Sequence, residues 1–146
     1  MFVKDLLKNK NRGVITATPS MTIIKAMDLL ISNQISCLPV IGESGELKGI
    51  VSDRDIFRAV HKDKVGFKNL KVGDIMTADV MIGVPEDDIQ YIGGVMTQNR
   101  IRHVPIVEEK NLVGLISVGD VVKAHMDEVE VENRYLKAYI TGSYQE

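Results

Sequence analysis

The chain carries one seven-residue pattern twice, as Gly49-Ile50-Val51-Ser52-Asp53-Arg54-Asp55 and as Gly114-Leu115-Ile116-Ser117-Val118-Gly119-Asp120. In each copy two apolar residues lead into a Ser, and an Asp follows three positions later. Two chemistries fit that spacing where a strand gives way to a helix. The Ser and the acidic residue can satisfy each other's free backbone N–H groups, forming a capping box. Alternatively, the carboxylate faces a cleft and accepts two hydrogen bonds from the vicinal diol of a ribose, while the Ser bonds sugar or phosphate. A charged acceptor makes such bonds strong. The motif by itself leaves both readings open.

The remaining reactive side chains do not assemble into a catalytic set. His61, His103 and His125 are far apart and lack a metal-binding spacing such as His-Glu-x-x-His, so each reads as a surface or phosphate-facing residue. Ser52 and Ser117 lack the Gly-x-Ser-x-Gly setting of a nucleophile elbow. Cys37, the single cysteine, lies in Ile35-Ser36-Cys37-Leu38-Pro39 with no base beside it, which predicts a buried structural thiol. There is no Walker-type phosphate loop. No catalytic residue and no metal site are expected.

Composition narrows the class further. With 146 residues, 45% hydrophobic and 26% charged, the chain is long enough to bury a core without disulfide or metal. Only 5% of residues are aromatic and none is Trp, so Val, Ile, Leu, Met and Ala must build that core, which suits mixed α/β packing. The net charge is −2, and the densest basic stretch (His61, Lys62, Lys64, Lys68, Lys71) is dispersed along a connector, which speaks against nucleic acid. Four Tyr and three Phe are too few to stack single-stranded bases. The first five residues are already charged and no run approaches the roughly 20 apolar residues of a membrane span. A cytoplasmic protein with no membrane partner is expected.

The elements that hold the two motifs come in two copies as well. Sliding Val14–Val60 onto Val80–Val122 places Pro19 on Pro85 and Pro39 on Pro105 at an offset of 66, then Gly49 on Gly114, Ser52 on Ser117 and Asp55 on Asp120 at 65. The leader Val3-Lys4-Asp5-Leu6-Leu7 matches Val72-Gly73-Asp74-Ile75-Met76. This is a tandem duplication. Each copy predicts a short strand (14–16; 80–82) and then a helix. Ser20 is a candidate cap for the first helix, whose apolar spacing runs through Ile23, Ile24, Met27, Leu30 and Ile31. Ile89, Ile92, Val95 and Met96 do the same in the second. A hairpin follows (38–41 with 47–51; 104–107 with 112–116), then a closing helix, the second running from about Gly119 to about Ile140. Gly93-Gly94 costs helix propensity, which close helix packing would repay. Three strands cannot hide both faces, so the two sheets are expected to pack together about a pseudo-two-fold axis, with equivalent clefts between them. The expected divisions are 1–65 for the first repeat with its leader, 66–126 for the second and 127–146 for a helical extension.

The doubled Gly-apolar-apolar-Ser-x-x-Asp pattern, each copy preceded by an apolar-Pro-apolar strand, resembles the CBS domain family over nearly the whole chain, from about Val3 to about Val122. The resemblance implies an α/β (α+β) fold of two tandem βαββα repeats and cross-wired clefts, each joining one repeat's adenine pocket to the other's ribose Ser and Asp. One site would comprise Thr16, Met21, Ile35, Ser36, Arg102, His103, Leu115, Ser117 and Asp120. The other would comprise Ile82, Asp87, Ile101, Ile50, Ser52, Arg54 and Asp55. Arg102 and His103 match a basic pair that contacts phosphate in a member of the family, whereas Ser36 and Cys37 are their uncharged counterparts. Thr16 is polar where Ile82 is not. The first cleft is therefore the favoured one, and Arg54 is a further phosphate candidate with no counterpart at Gly119. Arg100 reads as a solvated helix end.

What the resemblance implies for function is a non-enzymatic regulatory module that binds an adenosine-containing small molecule: AMP first, then ADP or ATP, NAD(H) or S-adenosylmethionine. It also implies a homodimer, to which the long last helix can add, and a separate effector protein, since the sequence shows no output domain. The alternative is a structural or dimerisation scaffold with vestigial nucleotide sites. Retention of both Asp55 and Asp120 argues against it.

Overall fold

A computed structural model describes residues 1–10 and 13–141. The last five residues of the expected 127–146 extension lie outside them. The elements are α1 (Val3–Asn9), α2 (Ile23–Asn33), β1 (Cys37–Ile41), β2 (Leu47–Ser52), α3 (Asp53–Lys62), a 3-10 turn (Gly66–Asn69), α4 (Val72–Ile75), α5 (Ile89–Asn99), β3 (His103–Glu108), β4 (Asn111–Ser117) and α6 (Val118–Thr141). The duplication is visible in the geometry. Both hairpins are antiparallel, Leu38 faces Val51 as Val104 faces Ile116, and each register slips at the same place, Val40/Ile41 and Ile106/Val107. Helices α2 and α5 both end on a left-handed residue, Gln34 and Arg100, each at φ 54°. Arg100 is exposed there, as a helix end should be.

The expected first strands, 14–16 and 80–82, do not form; one residue beyond each lies a single parallel bridge, Ala17 to Val40 and Gly83 to Ile106. Each bridge has two bonds: Ala17 N–H donates to the Pro39 carbonyl and Ile41 N–H to the Ala17 carbonyl, both at 2.9 Å, with Gly83, Pro105 and Val107 repeating them. One step further back, the ladder would need an N–H from Pro39 or Pro105, and proline has none. The prolines that mark the repeat therefore also cut its first strand short. At the next helix the cap is Thr22, whose side chain accepts from Lys25 N–H at 3.1 Å; Ser20 stays in the preceding turn. Asp88 caps α5.

The two cores are closed by exchanged leaders. Val72 of α4, which opens the second repeat, is buried with Ala17, Ile23, Leu38 and Val51 of the first. Val3 and Leu6 of α1 are buried with Ile89, Ile92, Val104 and Ile116 of the second. The backbone follows the same exchange: Val3 N–H reaches the Asp87 carbonyl and Val72 N–H the Met21 carbonyl, both at 2.8 Å. The hairpin tips meet through a Glu46–Asn111 bridge. Gly93 lets α5 approach α6, since a Cβ there would lie 3.1 Å from Val121.

Candidate functional site

A cleft of about 730 Å³ lies between the repeats. Gly13, Val14 and Ile15 line it with the Gln34–Cys37 segment from the first repeat; His103, the β4 edge, Ser117 and Asp120 line it from the second. Both repeats therefore contribute to this cleft. Of the favoured residues, Ile35, Ser36, His103, Leu115, Ser117 and Asp120 share this cleft. Thr16, Met21 and Arg102 fall outside its lining. Met21 packs against the first core. Arg102 turns outward, its guanidinium 3.3 Å from Asp53 Oδ1, beside Arg54 and Phe57 in a shallow surface hollow. Val14 and Ile15 line the cleft and Thr16 does not.

Ser117 and Asp120 do form a capping box. Ser117 N–H donates to Asp120 Oδ2 at 2.8 Å, and Asp120 N–H donates to Ser117 Oγ at 3.1 Å. The box uses only part of the carboxylate: among the described residues, Oδ1 accepts no hydrogen bond, and Asp120 lines the cleft. Capping and a ribose-facing carboxylate are thus compatible in one residue. Oδ2 also receives Lys10 Nζ at 2.8 Å, and the same ammonium donates to the Leu115 carbonyl at 2.8 Å. Burial would raise the Asp120 carboxyl, but the Lys10 and Ser117 hydrogen bonds and the Lys10 charge outweigh it and hold it below the ordinary carboxylate value. Burial, then the charge of Arg102, pushes the His103 imidazole below its usual value.

Lys10 was invisible to motif matching. It comes from the leader, where six residues separate Leu7 from Val14 but only three separate Met76 from Val80. The longer link carries α1 on to Asn9 while α4 stops at Ile75. The consequence is an asymmetry between clefts. In the second, Ile50 and Thr77 exchange both backbone hydrogen bonds at 2.9 Å, closing the β2 edge. In the first, the matching Leu115 carbonyl is met by a lysine side chain instead.

The residues expected around the second cleft do not converge. Only Ile82 lines the smaller hollow there, about 390 Å³, with Lys48, Ala78 and Val107 among its neighbours. Asp55 Oδ2 accepts from both Ser52 N–H (2.9 Å) and Ser52 Oγ (3.0 Å), a capping box like that of Ser117 and Asp120. Asp87 accepts from Val84 N–H at 2.8 Å and so holds a turn. Ile101 packs on the second core. Cys37 is buried, and burial followed by the Asp55 and Asp53 charges pushes its thiol up to about 12, which leaves no thiolate for chemistry. Among the described residues no group of His, Cys, Asp and Glu could hold a metal, and no helix is long and apolar enough to cross a membrane.

Two tandem units of one hairpin and two helices, with a ligand-sized cleft between them, define a paired-repeat binding module. The CBS domain profile matches residues 3–62 and 72–127, and the chain belongs to the CBS domain family. It is 33% identical over 150 residues to the mitochondrial CBS domain-containing protein CBSX3 of Arabidopsis thaliana, covering 97% of this chain and 73% of that protein. It resembles the CBS domain pair of protein MJ0100, solved in complex with methylthioadenosine and S-adenosyl-L-methionine, with a TM-score of 0.78 and 27% identity over 88% of this chain and 98% of that one. It also resembles CBSX2, solved in complex with AMP, with a TM-score of 0.76 and 25% identity over 86% and 96% of the two chains.

Proposed function

We propose that this chain is a non-enzymatic regulatory module that holds an adenosine-containing ligand, AMP in the first place, in the cleft of Asp120. The observation that carries this reading is the partly free, depressed Asp120 carboxylate at the wall of a cleft lined by both repeats. The adenosine ligands of the two solved relatives support it. In this reading the ribose diol donates to Asp120, and the base lies against Ile35 and Leu115. Ribose entry draws Lys10 off Asp120. A phosphate offers the released ammonium a new partner, and an uncharged nucleoside offers none. Lys10 therefore selects nucleotides over nucleosides and disfavours the sulfonium of S-adenosylmethionine, with ADP, ATP and NAD(H) behind AMP. Signal output goes to a separate effector protein through a homodimer. The cytoplasmic placement belongs to the same reading, and cell fractionation tests it against the mitochondrial name of the Arabidopsis relative.

The test is a thermal-shift and calorimetry panel of AMP, ADP, ATP, NADH, S-adenosylmethionine and methylthioadenosine on the wild type, Asp120→Ala and Lys10→Met. A ligand that binds only the native state at 100 times its Kd stabilises it by about 2.7 kcal/mol. AMP should bind the wild type and fail with Asp120→Ala. Lys10→Met should narrow the preference for AMP over methylthioadenosine at least tenfold. If no compound binds at millimolar concentration, the scaffold reading takes over.

A further inference from the structure

Helix α6 spans 24 residues, about 36 Å at 1.5 Å per residue. Its first turns belong to the body: Ala124 is buried, Val121 lies against Gly93, and Glu128 lines a small hollow with Asp88. Beyond Glu128, every described residue except Ala138 is exposed. A second face of the same helix carries Val122, Met126, Val129, Asn133, Leu136 and Ile140, spaced alternately four and three apart. This row lies about 100° round the helix from the body-facing row. Its apolar members stand in solvent, Met126 at 64% and Ile140 at 80% exposure.

Alternating steps of four and three make a heptad seam, with Met126, Asn133 and Ile140 at the a positions and Val122, Val129 and Leu136 at the d positions. We propose that this seam pairs with α6 of a second copy as a parallel, in-register two-stranded coiled coil. The proposal rests on the homodimer reading and names its surface.

Two features beyond apolarity choose this occupant. The first is the lone polar residue of the row, Asn133, at an a position. In a parallel pair it meets its own symmetry mate, amide to amide, and one such residue specifies register and a two-stranded state. The second is charge. The flanking g positions are His125 and Glu132, and the e positions five residues further on are Glu130 and Lys137. Parallel pairing sets g of one helix against the next e of its mate, so Glu132 meets Lys137 and His125 meets Glu130. Antiparallel pairing sets e against e and g against g, which parts Glu132 from Lys137. Within each helix Glu130 also pairs with Arg134 at 2.9 Å, stiffening the turn that carries the seam.

The experiment uses the full chain carrying Ile140→Cys, with the buried Cys37 left in place. Mild oxidation is followed by thiol blocking, a non-reducing gel and sedimentation of the unoxidised protein. The expected result is a sedimenting dimer in which most chains become covalently linked through position 140. Leu136→Lys should lower the linked fraction at least tenfold. Lys137→Glu should lower it, and adding Glu132→Lys should restore it, since only the parallel register exchanges those partners. A dimer that sediments normally but does not link through position 140, or that the double reversal fails to restore, overturns the coiled coil and leaves the homodimer standing. A monomer at every concentration overturns both, and nucleotide binding by the monomer would keep the ligand reading separate from either.

Discussion

Asp120 answers to three neighbours at once: Ser117, which it caps, Lys10, which neutralises it, and the cleft it lines. His103 shares that cleft, and burial, then the charge of Arg102, holds its imidazole below the usual value. An incoming phosphate favours the imidazolium, so the free protein binds fewer protons at this residue than the complex does. The sign follows: between the lowered value of the free protein and about pH 6.5, AMP binding takes up protons and its affinity gains as pH falls. Calorimetry near pH 6 in buffers of different ionisation enthalpy measures that uptake. The phosphate's own ionisation near pH 6 acts in every variant, so the expected result is a smaller uptake in His103→Gln than in the wild type. Equal uptake would remove His103 from the phosphate. Of these residues, Ser117 and Asp120 were legible because the motif places them on contiguous chain, and His103 because it lies next to a strand start. Lys10 was not. Its role depends on where an irregular link sets a flexible side chain, and no periodicity encodes that. The same limit applies to Arg102, for which the family resemblance implied a phosphate contact and whose guanidinium the fold turns toward Asp53.

Among the elements, the leaders explain the glycine that opens each motif. At Gly49 a Cβ would stand 2.5 Å from the Thr77 carbonyl oxygen, a backbone atom in the Ile50–Thr77 bridge. At Gly114 its three nearest neighbours would be Leu7 side-chain atoms, from 2.6 Å. A side-chain tip can rotate away, but a bridged carbonyl cannot move without breaking its ladder. Gly49→Ala should therefore destabilise by about 1–3 kcal/mol, as overpacking does, and Gly114→Ala by less than about 1 kcal/mol. Urea unfolding of the two variants measures the difference, and equal losses would mean that the Thr77 segment yields as easily as Leu7. Element order was readable from the duplication, and α6 covers the expected stretch from Gly119 to Ile140 because its pattern is long. The short pieces were less readable. The proline that identifies each repeat also denies its first strand an N–H. The β3–β4 turn takes only Glu109 and Lys110, at φ 50° and 68°, with no Gly to announce it.

At the scale of the whole molecule, the exchange of leaders decides what counts as a folding unit. Repeat counting draws the boundary near residue 65, yet Val72 fills the first core and Val3 and Leu6 fill the second. A piece cut at that boundary carries two apolar residues with no core to enter and lacks the side chain that closes its own. About 65 residues is a size at which burial barely offsets chain entropy, so losing one fully buried Val and its partly buried neighbours is decisive. The fragment 1–65 should therefore unfold without cooperativity. The fragment 13–77, which drops α1 and keeps α4, should show a helical spectrum and a sigmoidal urea transition. If 1–65 proves as stable as 13–77, the leaders are ornaments on two independent halves. If it does not, each repeat depends on a segment of the other. A ligand seated between the repeats then acts on one cooperative body, which is the condition for a small molecule in the Asp120 cleft to be felt at α6.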